Sequence, residues 1–150
     1  MRYYSVNMKM HLEKSDQRLI SNYGPGKISV DGESYDTMVL VGKTNISTSE
    51  FNGPVKELTL EVLLPLLEDK PEILIFGSGK NHHFPTPKLV AELASRGTAL
   101  ETMTTSAACR TYNVLVAEFR DVCAALMPIE SDTEAKTTRE LQTKVDVTGE

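Results

Sequence analysis

The sequence predicts an α/β sandwich built on a partly parallel sheet. Three observations carry this: short apolar runs separated by turn residues fill the first third, an unbroken apolar strand follows Glu72, and strands then alternate with stretches of helical period as far as Leu126. A length of 150 residues with 40% hydrophobic residues suits one domain with a single core, in need of neither metal nor disulfide staples.

Residues 1–17 read as an extension in which Met8, Met10 and Leu12 alternate with Lys9 and His11, a short strand-like pattern. Strands are then expected over Arg18–Tyr23, Lys27–Val30 and Tyr35–Val41, because Gly24, Pro25, Gly26 and the Asp31-Gly32 dipeptide between them make tight turns. From Val55 the period changes to that of a helix: Val55, Leu58, Val62 and Leu66 form a stripe widened by Leu63 and Leu67, and Pro65 limits its extent. The apolar strand that follows, Ile73 to Phe76, ends at Gly77-Ser78-Gly79, and its continuous apolarity predicts burial on both faces. Thr86 before Pro87 is an N-cap with proline at the first helical position, and that helix stops at Gly97. Ala99–Met103 is the next strand, Ser106–Phe119 a helix capped by Thr104 or Thr105, and Val122–Leu126 the last strand before Pro128. After it, residues 129–150 are poor in large apolar side chains and are expected to form a disordered polar tail, which leaves 18–128 as the domain.

Composition excludes several function classes. Sixteen Lys and Arg against 21 Asp and Glu give a net charge of −5 without a basic block, so a nucleic-acid binder is not expected. The longest apolar stretch, Leu58 to Leu67, is interrupted by Thr59, Glu61 and Pro65, far short of the roughly 20 residues of a bilayer span. The opening residues carry early acids and no apolar core, unlike a signal peptide or a mitochondrial presequence. Cys109 and Cys123, with no second pair, fit neither a disulfide framework nor a zinc ribbon, and read as reduced thiols of a cytoplasmic protein.

Two segments hold the candidate chemistry. In the loop after the buried strand, Gly77, Ser78, Gly79 and Lys80 suggest a phosphate cradle, yet they lack the spacing of a Walker loop or a dinucleotide fingerprint, and glycines there equally serve a tight strand exit. His82, His83 and Phe84 share this loop at the carboxyl end of a central strand, where open α/β sheets place ligands. Adjacent histidines project to opposite sides, so a surface pair is the stronger reading and no metal site is expected. The second segment, Met103 to Asn113, opens a helix whose first turn has hydroxyls (Thr104, Thr105, Ser106) and no acid, with Arg110 a turn further in. Either an exogenous anion completes this helix start, or Arg110 pairs internally with Glu101 or Glu118 and the hydroxyls are caps. Cys109 is a nucleophile only if the helix start lowers its pKa, and Ala107, Ala108 and Leu115 around it equally describe a packed helix face.

The order and spacing of Ile75, Phe76, Gly77, Ser78, Gly79, then Met103, Thr105, Ala107, Ala108, Arg110, Thr111, Tyr112, Asn113 and Leu115, followed by Glu118, Arg120, Val122 and Ala124 to Leu126, resemble the small MTH-type domain family. The resemblance runs from about Ile20 to Pro128. It implies three layers: a mixed five-stranded central sheet with one strand antiparallel to the others, flanking helices and an extra β layer. Relatives in that family include a mitochondrial complex I assembly factor and an adipogenesis-associated protein; this chain looks like a free-standing bacterial member. The resemblance brings no catalytic residue and no cofactor. The expectation is a non-catalytic module that binds a protein partner through Gly77, Ser78, Gly79, His82, His83, Phe84, Thr104, Thr105, Ser106, Arg110 and Asn113, with respiratory-complex assembly as the role the relatives suggest. The alternative is a small-molecule anion site or an enzyme using the Gly77–Pro85 loop and the Thr105–Arg110 helix start, and the exposed strand edges leave a homodimer open.

Overall fold

A computed structural model describes residues 18–131. The strand-like pattern at Met8–Leu12 and the tail from residue 132 onward lie outside the described residues. Eight strands and three α-helices follow one another: β1 (Ile20–Gly24), β2 (Lys27–Val30), β3 (Glu33–Tyr35), β4 (Met38–Val41), β5 (Ile46–Ser49), a 3-10 turn (Val55–Glu57), α1 (Leu60–Leu67), β6 (Ile73–Gly77), α2 (Pro87–Ser95), β7 (Ala99–Met103), α3 (Thr105–Ala117) and β8 (Val122–Leu126).

The central sheet has the order β5-β4-β8-β6-β7. β6 runs parallel to both β7 and β8, while β4 is antiparallel to β8 and to β5, so β4 alone opposes the other four. A separate antiparallel sheet, β1-β2-β3, supplies the additional β layer. The chain is therefore the mixed α/β sandwich that its sequence describes.

Period-two geometry sends successive side chains of the central strands to opposite faces. Val39, Val41, Ile75, Val122, Ala124 and Leu126 join Ala108, Cys109, Tyr112 and Val116 of α3 and Ile20, Ile28 and Val30 of the small sheet in one core. Met38, Leu40, Leu74, Phe76, Cys123 and Ala125 face the other way, against Leu63, Leu66 and Leu67 of α1 and Leu89 and Leu93 of α2. Burial on both sides explains why β4, β6 and β8 read as continuous apolar runs.

Several boundaries differ from the sequence reading. The run from Tyr35 to Val41 is two strands in two sheets, separated by a bend at Asp36 and Thr37. The stripe from Val55 is not one helix: after the 3-10 turn, Leu58 takes an extended conformation, and α1 begins after Thr59. Pro65 lies inside α1 on its exposed side, and the helix continues two residues past it. Val62 is only partly buried. α3 ends at Ala117, not Phe119, whose φ of 61° turns the chain toward β8. β5, with the sequence Ile-Ser-Thr-Ser, had no counterpart among the expected elements.

Candidate functional site

The carboxyl ends of β6, β7 and β8 converge where α3 begins. Gly77 closes β6 against this helix: a Cβ placed on it would lie 2.9 Å from both Cα and Oγ1 of Thr105 and 3.1 Å from Leu126. Only a glycine lets strand and helix approach so closely. Two hydrogen bonds lock the next turn, from the Gly79 amide to Thr105 Oγ1 at 2.8 Å and from the Thr105 amide to the Gly79 carbonyl at 2.9 Å. Gly79 has a φ of +96°, a conformation that L side chains rarely adopt. Thr105 is fully buried, and its hydroxyl donates to the Met127 carbonyl at 2.7 Å, so both hydrogen-bonding roles of that oxygen are used within the fold.

Ser78 organises the loop that follows. Its amide donates to the Met103 carbonyl at 2.9 Å, and its Oγ accepts from the His83 amide at 3.0 Å. The same hydroxyl has its single proton to share between the Asn81 carbonyl at 2.6 Å and the Met103 carbonyl at 3.2 Å. The loop is thereby pinned at both ends while its tip faces outward. His82 Nε2 lies 3.0 Å from Thr102 Oγ1, and its ring meets Phe84 at a centroid distance of 4.3 Å. Phe84 is 71% exposed, the highest value among the exposed large apolar side chains.

The start of α3 gives the amides of Thr105, Ala107 and Ala108 to the protein. Thr104 is the N-cap and accepts from the Ala107 amide at 3.3 Å through Oγ1, its carbonyl accepts from Ala108 at 2.8 Å, and the Thr105 amide is held by Gly79. Ser106 follows in the first turn, half-buried. Arg110 does not meet Glu101 or Glu118; its Nη1 donates to the Tyr23 hydroxyl at 3.0 Å, bridging α3 to β1. Asn113 points to the same strand, with Oδ1 accepting from the Ile20 amide at 2.9 Å and Nδ2 donating to the Ile20 carbonyl at 2.8 Å. That pair of bonds imitates a neighbouring strand and fastens β1 to α3. Tyr112 adds a bond from its hydroxyl to the Arg18 carbonyl at 2.7 Å. Tyr23 is named from the sequence only as the end of an expected strand, and Tyr112 only among the residues that carry the family resemblance; their partners lie 87 and 94 residues away, where no local signal reaches.

The thiols are closed to chemistry. Cys109 is completely buried, and burial pushes its pKa up to about 12 despite the opposing influence of the nearby Arg110 guanidinium. Burial also raises Cys123, with Asp121 and Asp69 adding to the effect. Among the described residues no group of three His, Cys, Asp or Glu is placed to hold a metal ion, and no helix is long and apolar enough to cross a membrane.

The predicted site residues thus divide in two. Gly77, Ser78, Gly79, Thr104, Thr105 and Asn113 build the scaffold, with Ser106 half-buried in the first turn of α3; His82, His83, Phe84 and Arg110 are exposed on it. The chain also continues into this region after β8: a Cβ on Gly79 would lie 3.3 Å from the Pro128 carbonyl, and the Ile129 carbonyl accepts from the Gly26 amide at 2.9 Å. Pro25 and Ile129 form a parallel bridge there.

Residues 20–127 match the family described as "Protein of unknown function (DUF498/DUF598)". The chain is 36% identical over 78 residues to NADH dehydrogenase [ubiquinone] 1 alpha subcomplex assembly factor 3 of Xenopus tropicalis, spanning 51% of this chain and 43% of that protein. The Danio rerio protein of the same name is 31% identical over 122 residues, 79% of this chain and 69% of that one. The chain thus spans less than half of the frog relative. Among solved structures, a Mth938-like domain of Bordetella pertussis superposes with a TM-score of 0.66 at 25% identity, over 80% of this chain and 91% of that one.

Proposed function

The chain belongs to the DUF498/DUF598 family of unknown function, and from that membership together with the geometry of the Phe84 loop we propose that it is a non-catalytic, cytoplasmic protein-binding module acting in the assembly of a respiratory complex. One observation carries the reading: an aromatic side chain that is 71% exposed stands on a loop whose backbone is fixed by Ser78. A large apolar group held out in water in a defined position is an anchor for a partner's pocket, because the loop's ordering entropy is already spent before binding. The relatives named as NADH dehydrogenase assembly factors suggest the client, a subunit of that enzyme. Two buried free cysteines suit a reducing compartment.

The same geometry disfavours a small-anion site at the α3 start, where Thr105, Ala107 and Ala108 direct their amides to Gly79 and Thr104. A buried thiol held near pKa 12 is likewise no nucleophile at neutral pH. The test is deletion of the gene in the organism that encodes it, with assembled NADH dehydrogenase measured on native gels. The expected result is a lower level of the complete enzyme, restored by the wild-type chain. An unchanged level in the deletion overturns the assembly reading.

A further inference from the structure

We propose that the partner segment received by the Phe84 face is acidic and carries one aromatic or large aliphatic anchor; this rests on the protein-binding reading above and specifies its chemistry. The first observation is a charge pattern. The chain has 21 Asp and Glu, yet none falls in residues 73–91 or 102–117, the two stretches that hold β6 with its exit loop and all of α3. Those stretches contain Lys80, His82, His83, Lys88 and Arg110. In a chain of net charge −5, the loop that holds the exposed aromatic carries no acid of its own.

A succession of contacts links Lys80, His82 and Arg110, with others, across the edge formed by the carboxyl ends of β6, β7 and β8. Gly79 and Thr105 bond reciprocally, which sets Lys80 beside the first turn of α3. Pro128 and Ile129 pass Gly79 and hold Gly26, placing Lys27 next to the same edge. Arg110 reaches Tyr23 of the strand that leads into that turn. Lys27, Lys80, His82, His83 and Arg110 are all exposed. Among the described residues, the acids bordering the edge are Glu130, exposed just beyond Ile129, and Glu101, two residues before the end of β7. Lys88 is set apart, since it lines a groove of about 650 Å³ together with Glu57, Glu61 and Glu92.

Arg110 donates to the Tyr23 hydroxyl rather than to a carboxylate, so the bond shown for it is not an ion pair. A carboxylate arriving from outside gains a charge-assisted bond from the remaining guanidinium donors, and an apolar anchor elsewhere in the same segment covers Phe84 and the His82 ring. Basic segments are repelled by the same charges, which makes the face selective by sign as well as by shape.

Peptide display against the full-length chain tests this. Selected peptides are expected to be enriched in Asp and Glu around a Phe, Tyr, Leu or Ile. Their affinity should fall at least about tenfold on Phe84→Ala, several-fold on Arg110→Gln, and markedly on raising salt from 50 to 500 mM. Melting temperatures establish that both variants are folded. Neutral or basic peptides that still depend on Phe84 overturn the acidic partner and leave the protein-binding face standing. Peptides indifferent to Phe84→Ala, or no peptide at all, overturn both.

Discussion

Replacing Gly77 by alanine should loosen the junction on which the whole candidate site is built. The added methyl carbon would stand 2.9 Å from the Thr105 Cα and 2.9 Å from its Oγ1, with Leu126 at 3.1 Å on the other side. Contacts below 3.0 Å against backbone cannot be relieved by a rotamer change, so β6 and the start of α3 must separate. Overpacking of this kind costs about 1–3 kcal/mol, or about 3–10 °C in melting temperature for a domain of this size. The movement also strains the reciprocal bonds between Gly79 and Thr105, so faster amide exchange at those two residues should accompany it. Gly24→Ala is the control, because a Cβ there meets nothing within 4 Å and should change stability by less than about 0.5 kcal/mol. Urea denaturation of the three proteins decides the matter. If Gly77→Ala is as stable as Gly24→Ala, the close approach is not what requires glycine.

Other expectations follow from the same geometry. Thr105→Val removes the acceptor of the Gly79 amide and the donor to Met127, and should cost about 2–4 kcal/mol by urea denaturation, as two buried backbone groups lose their partners. Asn113→Asp keeps an acceptor for the Ile20 amide but turns a carboxylate oxygen toward the Ile20 carbonyl, so a loss of about 1–3 kcal/mol and faster exchange at β1 are expected; unchanged exchange there would show that the clamp is idle. Cys109 keeps its proton in the folded chain up to about pH 12, whereas an unfolded thiol releases it near 9. Its contribution is complete below pH 9 and declines as pH rises toward 12, by up to about 1.4 kcal/mol per pH unit, so Cys109→Ala should flatten the fall in stability measured between pH 9 and 10.5.

The legible parts of the fold were those with local causes. Thr86-Pro87 announced the start of α2, and the residue after Arg96, Gly97, its end, because capping is settled within a few residues. The apolar run ending at Gly77 announced β6 because continuous apolarity over five residues is itself a local signal of a strand covered on both faces. β5 stayed hidden since Ile46–Ser49 is an edge strand, half-exposed and mostly polar, whose strand character comes from pairing with β4. The stripe from Val55 to Leu67 imitates one helix because the 3-10 turn and α1 turn their apolar sides to the same core.

Within the candidate site, the residue types were readable and their partners were not. Thr105 looked like a free hydroxyl for a ligand; its bonds reach residues 22 and 26 positions away and close it off. Arg110 had two carboxylates within nine residues as obvious partners, and bonds instead to Tyr23, 87 residues distant. Asn113 was chosen as a possible contact residue, and only the docking of β1 shows it as a clamp. Phe84 is the converse case: one aromatic in a polar loop gives no sign of exposure until the loop's own bonds to Ser78 are known.

The most direct measurement is complementation of a deletion strain with Phe84→Ala, scored by the amount of assembled NADH dehydrogenase on a native gel. Leu64→Ala serves as the matched control, being 42% exposed on α1, a different element from the loop. If Phe84 anchors a partner, the Phe84→Ala chain accumulates with an unchanged melting temperature and fails to restore the enzyme, while Leu64→Ala restores it. Full restoration by Phe84→Ala contradicts the proposed face.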